Sequence, residues 1–239
     1  MQKLLPPTHM ICDCDGVLVD SESVAADLLI AELSRRWPGV DIAPILLPLL
    51  GQRIEGVLQT VARQVGASFE THEIETLRQR LELACAEAPM VEGVDTAFAR
   101  ISLPKACASN SDTAHVKAIM QRHGLRRFFE ERIYCADSVA HPKPAPDVYL
   151  AAARGFGVAP ACCVVLEDST TGVTAAVRAG MRVIGFVGGG HSTPLQDQAL
   201  RAAGAHYVLE HMDALPDLIA ALIGESSAPS QRIQSISGA

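Results

Sequence analysis

Short unbroken apolar runs punctuate this chain, separated by stretches in which apolar residues recur every three or four positions. The runs are His9-Met10-Ile11-Cys12, Ala106-Cys107-Ala108, Ile133-Tyr134-Cys135, Val164-Val165-Leu166 and Val183-Ile184-Gly185-Phe186, with a weaker one at Tyr207-Val208-Leu209. Apolar runs without polar alternation predict strands covered on both faces. Helical periodicity fills residues 114–123, 147–156, 171–179 and 193–203. Strand–helix alternation predicts an α/β fold, a doubly wound parallel sheet of Rossmann-like type with right-handed crossovers.

One connection is too long for that scheme. Roughly ninety residues separate the first two runs, whereas a crossover needs only a dozen or more. Within them Val57, Leu58, Val61 and Val65 share one helical stripe, and Ile74, Leu77 and Leu81 another. Residues 21–90 therefore read as an inserted α-helical cap domain, flanked by a core made of 1–20 and 91–224. Gly16 and Gly93 stand near its two ends as candidate hinges, and Trp37 is expected to pack inside it. Residues 225–239 are rich in Ser, Gly, Pro and Gln, lack periodicity and read as a frayed tail. No internal repeat is visible.

Composition narrows the class. With 239 residues and 49% hydrophobic content, the chain can build one large core and a smaller second one. The net charge is −7, with no block of Lys or Arg, which argues against nucleic-acid and anionic-membrane partners. No apolar run approaches the roughly 18 residues of a membrane span. The seven Cys residues lie mostly in apolar runs without a Cys-x2-Cys pair, so they read as buried thiols and not as a zinc site. Met1 to His9 lacks a secretory pattern, so a reducing cytoplasm is the expected compartment, with a monomer as the expected state.

Ligands of open parallel sheets sit beyond the carboxyl ends of the strands. There the chain places Asp13 and Asp15 after the first run and Ser109, Asn110 and Ser111 after the second. Lys143 precedes Pro144-Ala145-Pro146, and Glu167 and Asp168 follow the fourth run. Carboxylates held together take up protons unless a cation joins them. Mg²⁺ suits one or two carboxylates with waters and phosphate oxygens. Lys143 offers a point charge, and a helix starting near Ser109–Asp112 would offer backbone N–H groups to an anion. The set suits a phosphoryl group.

Two carboxylates also suit its hydrolysis. One attacks phosphorus and splits the reaction into phosphorylation and release. The other protonates the leaving alkoxide and then activates water. The second must start protonated, which needs a rise of ~3 units, about 4 kcal/mol, and desolvation under a closing lid is expected to supply part of it.

Taken singly these features are weak. Asp-x-Asp is a common turn, Ser109 a common N-cap, and Glu167-Asp168 could cap the following helix. Gly188-Gly189-Gly190-His191 lacks the Lys-Ser/Thr of a phosphate loop and reads as a plain loop. His141 reads as a loop histidine. Arg53, beside Gly51-Gln52, could reach the substrate from the cap or lie on the surface.

Together they carry a resemblance. Asp13-Cys14-Asp15-Gly16-Val17-Leu18-Val19-Asp20-Ser21-Glu22 resembles the first motif of the haloacid dehalogenase-like superfamily, in its phosphatase branch with a helical cap. Cys107-Ala108-Ser109-Asn110-Ser111, Lys143-Pro144-Ala145-Pro146-Asp147 and Leu166-Glu167-Asp168-Ser169 match the next three motifs in order. The resemblance implies Asp13 as nucleophile and Asp15 as general acid/base. It implies Mg²⁺ held by Asp13, the Asp15 backbone carbonyl and Asp168, with Glu167 ligating or supporting it. Ser109 and Lys143 would bind phosphate, with Asn110 beside them.

The implied substrate is a small phosphorylated metabolite: a sugar phosphate, a sugar-acid phosphate or a phosphoglycolate-like ester. The chain is also similar to the beta-phosphoglucomutase and phosphoglycolate phosphatase group, and a phosphomutase is the nearest alternative. Against it, Arg53 stands one position early relative to Gly51, and Ala25 occupies the position of that group's histidine. The dehalogenase branch lacks the second aspartate. A phospho-accepting receiver domain, an alternative of another class, would be about half as long and lack a lid. An idle phosphate-binding protein would not need Asp15.

Overall fold

Each apolar run becomes a strand because each is covered on both sides. The computed structural model describes residues 5–49, 54–188 and 194–224. Arg53 with Gly51 and Gln52, the loop residues Gly189, Gly190 and His191, and the segment 225–239 lie outside the described residues. Six parallel strands, β1 (His9–Cys12), β2 (Lys105–Ser109), β3 (Ile133–Cys135), β4 (Cys163–Glu167), β5 (Arg182–Phe186) and β6 (Tyr207–Leu209), form one sheet in the order β3-β2-β1-β4-β5-β6. Ile11 stands between Ala106 and Val165 in register.

Between β1 and β2 lie helices α1 (Ser21–Arg36), α2 (Ala43–Leu46), α3 (Ile54–Gln64), α4 (Thr71–Cys85) and α5 (Val94–Arg100). The remaining helices are α6 (Thr113–Arg122), α7 (Arg126–Phe129), α8 (Asp147–Phe156), α9 (Thr170–Arg178), α10 (Pro194–Ala203) and α11 (Leu215–Gly224). Ile11 packs into one apolar layer with Val148, Val173 and Val183. Met10 and Cys12, pointing the other way, pack with Phe98, Ile119 and Ile219. No described helix is long and apolar enough to cross a membrane.

The chain leaves β1 for β2 and β3 on one side and places β4 to β6 on the other. The carboxyl ends of β1 and β4 therefore meet at a topological switch point, where such sheets bind ligands.

Helices α1 to α4 gather a separate apolar cluster around Leu29, Leu33, Leu46, Leu58, Val61 and Leu81. The expected stripes face it: Val57, Leu58 and Val61 are buried, with Ile74 and Leu81 opposite. Trp37 packs edge-on against Phe69 at 5.5 Å. The two connections to this helical unit run side by side. Asp20 N–H donates to Pro89 O at 2.9 Å, Val91 N–H to Leu18 O at 3.0 Å, and Val19 bridges Met90.

Candidate active site

Asp13 continues β1 past its last paired residue, and its N–H donates to Leu166 O at 3.0 Å. This backbone bond fixes its side chain over the switch point. Lys143 Nζ donates to Asp13 Oδ1 at 2.9 Å and to Glu167 Oε1 at 2.6 Å. Tyr149 OH donates to the same Glu167 oxygen at 2.8 Å. Ser169 donates to Oε2 through its N–H at 2.9 Å and its hydroxyl at 3.0 Å. Glu167 is thus wholly enclosed, and a Cβ on Gly172 would lie 1.5 Å from its Oε1.

Asp168 completes the group: Asp13, Glu167 and Asp168 each offer an oxygen within 4.8 Å of the others. One ammonium faces three buried carboxylates. Burial pushes the Asp13 carboxyl up to about 7, with the Lys143 charge opposing and Glu167 and Asp15 adding to the rise. Asp168 is pushed well above the usual carboxylate range by burial and by the charges of Glu22, Glu167 and Asp13. Burial opposes the charge on Lys143, but Asp13 and Glu167 outweigh it and hold the ammonium well above its ordinary range. This all-oxygen, charge-deficient donor set fits a hard divalent cation.

Asn110 serves the lysine. Its amide donates to Lys143 O at 3.1 Å and accepts from Lys143 N–H at 2.8 Å, clamping that loop from the end of β2. Ser109, almost fully buried, accepts the Ser111 N–H on its hydroxyl at 3.0 Å. The helix expected after this loop starts at Thr113, capped by Asp112, whose carboxylate accepts the His115 N–H at 2.8 Å. The cap of α9 is Ser169, which accepts from Gly172 N–H at 3.0 Å. His141 is exposed and pairs with Asp147 at 3.3 Å.

Asp15 turns away from the cluster. Ser111 Oγ donates to its Oδ2 at 2.7 Å, and His115 Nε2 lies 3.8 Å from its Oδ1. Burial would raise this carboxyl, but the nearby His115 ring and the Ser111 hydrogen bond outweigh it and hold Asp15 below the ordinary range. This corrects the expectation that Asp15 is the raised carboxyl: in this arrangement Asp13 is raised and Asp15 lowered. His115 rises in turn through its closeness to the Asp15 carboxylate, with burial opposing.

His115 and Tyr149 were not singled out by sequence reasoning. Tyr149 carried a signal, because a hydroxyl in an apolar helix needs a buried partner. His115 carried only its place in the first turn of a helix that follows a strand end.

Asp15 opens onto a cavity of about 540 Å³ between the sheet end and the inserted helices. Ser21, Glu22, Ser111, Asp112 and His115 line it near the sheet, and Leu29, Ile54, Val57, Arg78 and Leu81 line it from α1, α3 and α4.

Comparison with known proteins agrees with this architecture. Residues 8–180 match the family model of the haloacid dehalogenase-like hydrolases. The chain is similar to the fructose-1-phosphate phosphatase YqaB of Escherichia coli, 31% identical over 73% of this chain and 94% of the relative. The E. coli 6-phosphogluconate phosphatase is 23% identical over 86% of this chain and 91% of the relative. A haloacid dehalogenase-like protein of unknown function from Agrobacterium tumefaciens superposes with a TM-score of 0.84, at 32% identity, covering 90% of this chain and 99% of that one. The chain belongs to the haloacid dehalogenase-like hydrolases.

Proposed function

We propose that this protein is a Mg²⁺-dependent phosphatase of small phosphorylated metabolites, working through an aspartyl-phosphate on Asp13. The observation that carries this reading is the convergence of Asp13, Lys143, Glu167 and Asp168 at one switch point, with Asp15 beside it at the floor of a cavity. Phosphatases among the relatives support it.

Asp13 and Asp168, with the Asp15 backbone carbonyl, would hold the metal. Glu167, already accepting bonds from Lys143, Tyr149 and Ser169, supports it by holding Lys143. A Mg²⁺ held there would supply charge neutralisation for the transferring group and would keep Asp13 ionised. A carboxylate oxygen of Asp13 attacks phosphorus as the ester oxygen leaves. Lys143 and Ser109 hold the phosphoryl oxygens, and Asn110 acts through the lysine it clamps. The leaving oxygen takes a proton from the Asp15–His115 pair through Asp15. Asp15 then accepts a proton from the water that cleaves the aspartyl-phosphate. Residues 21–90 act as the cap that excludes other water. The working state is a cytoplasmic monomer without nucleic-acid or membrane partners.

Asp13→Asn should leave the fold intact and abolish phosphate release. EDTA should stop the wild type, and Mg²⁺ should restore it. Near-wild-type turnover in the variant, or turnover in EDTA, contradicts the reading. Glucose 1-phosphate belongs in the substrate panel, because glucose 6-phosphate as its main product would mark a mutase.

A further inference from the structure

Helix α4 forms one wall of the cavity and ends against the core. Arg78, Leu81, Glu82 and Cys85 line the cavity at spacings of three and four, one stripe of α4. Past Cys85 the chain returns towards the sheet through Ala86, Glu87 and Ala88, and the end of α6 holds all three. Arg122 donates to Ala86 O at 2.5 Å through Nη1 and pairs with Glu87 through Nη2. His123 Nε2 lies 3.1 Å from Ala88 O, and since a carbonyl only accepts, that nitrogen carries the proton. Ala88 is buried in the apolar layer that includes Ile119 and Met120 of α6.

The other end of α6 faces the reacting groups. His115 stands beside Asp15, and Asp112 and His115 line the cavity near the sheet. His115 and Arg122 are about two turns apart, so they share one face of α6. One short helix thus spans from Asp15 to the end of α4. Ala86 extends α4, its N–H donating to Glu82 O at 3.0 Å, so Ala86 O is among the carbonyls that a helix end leaves without an intrahelical donor. The open carbonyl and the negative end of the helix both favour a guanidinium there. The Glu87 pair is solvent-exposed and contributes little by itself. The bonds to the Ala86 and Ala88 carbonyls fix the direction in which α4 meets the core.

We propose that Arg122 and His123 are positioning residues: they pin the end of α4 to α6 and so hold the α4 wall of the cavity at a working distance from Asp15. The proposal rests on the phosphatase reading above. An ester whose alcohol reaches α4 meets a formed site only while this contact is made, so its apparent affinity falls with the fraction of molecules that make it. Acetyl phosphate leaves most of a cavity of about 540 Å³ unfilled and draws little on that wall.

The test compares acetyl phosphate with a panel of hexose phosphates, fructose 1-phosphate and glucose 6-phosphate among them, in the presence of Mg²⁺. Arg122→Ala should lower kcat/KM for the best hexose ester by about tenfold or more, chiefly through KM, and leave that for acetyl phosphate within about twofold. Arg122→Lys keeps the charge but not the planar fork and should recover part of the loss. Glu87→Gln, which leaves the carbonyl bonds in place, should cost no more than about threefold. His123→Gln can direct an amide N–H at Ala88 O and should stay closer to wild type than His123→Ala. An unchanged hexose ester in Arg122→Ala overturns the proposal, as do equal losses with both substrates, which a general loss of structure would produce. A wild type that favours acetyl phosphate over every hexose ester overturns it too, because the α4 wall then contributes nothing. If the wild type releases phosphate from neither acetyl phosphate nor any ester, the phosphatase reading fails and takes the proposal with it.

Discussion

At the scale of single residues, the site depends on where its protons rest. Without metal, Asp13 is raised from 3.8 to about 7, so the folded state binds a proton there that the unfolded chain releases. Between those two values the folded state holds more protons, and stability from this group falls as pH rises. Asp13→Asn removes that penalty. In EDTA, the melting temperature of Asp13→Asn relative to wild type should therefore climb as pH rises from about 4 to 7 and level off above. A pH-independent difference would contradict the raised carboxyl. The opposite shifts at Asp15 and His115 give a second expectation. His115→Ala should lower kcat for a sugar phosphate by about 100-fold, at the lower end of the scale of general acid–base effects. The pre-steady-state burst with p-nitrophenyl phosphate should fall much less, because nitrophenolate leaves without a proton. His115→Gln should recover part of the loss by donating to Asp15. Equal burst losses with both esters would remove His115 from proton transfer.

At the scale of elements, strand ends and short loops build the site. Gly16, at φ +74°, sits against Asp168, and a Cβ there would lie 1.9 Å from Oδ2. Gly16→Ala should keep native circular dichroism yet lose about 10²-fold in kcat and weaken Mg²⁺ binding, because it displaces Asp168. Unchanged Mg²⁺ affinity would show that the loop yields instead. The strands were legible because burial on both faces leaves no polar alternation, and β1, β3 and β6 run over the residues read from the sequence. The carboxylates and Lys143 were legible because parallel strands deliver their following residues to one edge. The contacts among them were not. Asn110 clamping Lys143, and Ser111 and His115 turning Asp15 aside, depend on loop paths that periodicity does not encode. The direction of the Asp15 shift was misread for that reason: burial was foreseeable, but the Ser111 hydrogen bond and the His115 ring that outweigh it were not.

At the scale of the whole molecule, a chain of net charge −7 concentrates buried carboxylates and one ammonium at the carboxyl ends of β1 and β4. The loops at the sheet's carboxyl edge supply Asp13, Lys143 and Asp168, and the inserted helices supply the apolar wall opposite. The paired connections at Leu18–Asp20 and Pro89–Val91 tie the helical unit to the end of β1 that carries Asp13. A change in their angle would open or close the cavity over Asp15. The proposed mechanism places one covalent event at one residue. Borohydride added during turnover reduces an acyl phosphate to the corresponding alcohol, so peptide mass spectrometry should find homoserine at position 13 in the presence of substrate and Mg²⁺. The account predicts that product at Asp13 and at no other carboxylate, and none when substrate is omitted. Turnover at full rate with Asp13 unmodified, or homoserine at Asp15 or Asp168, would contradict it.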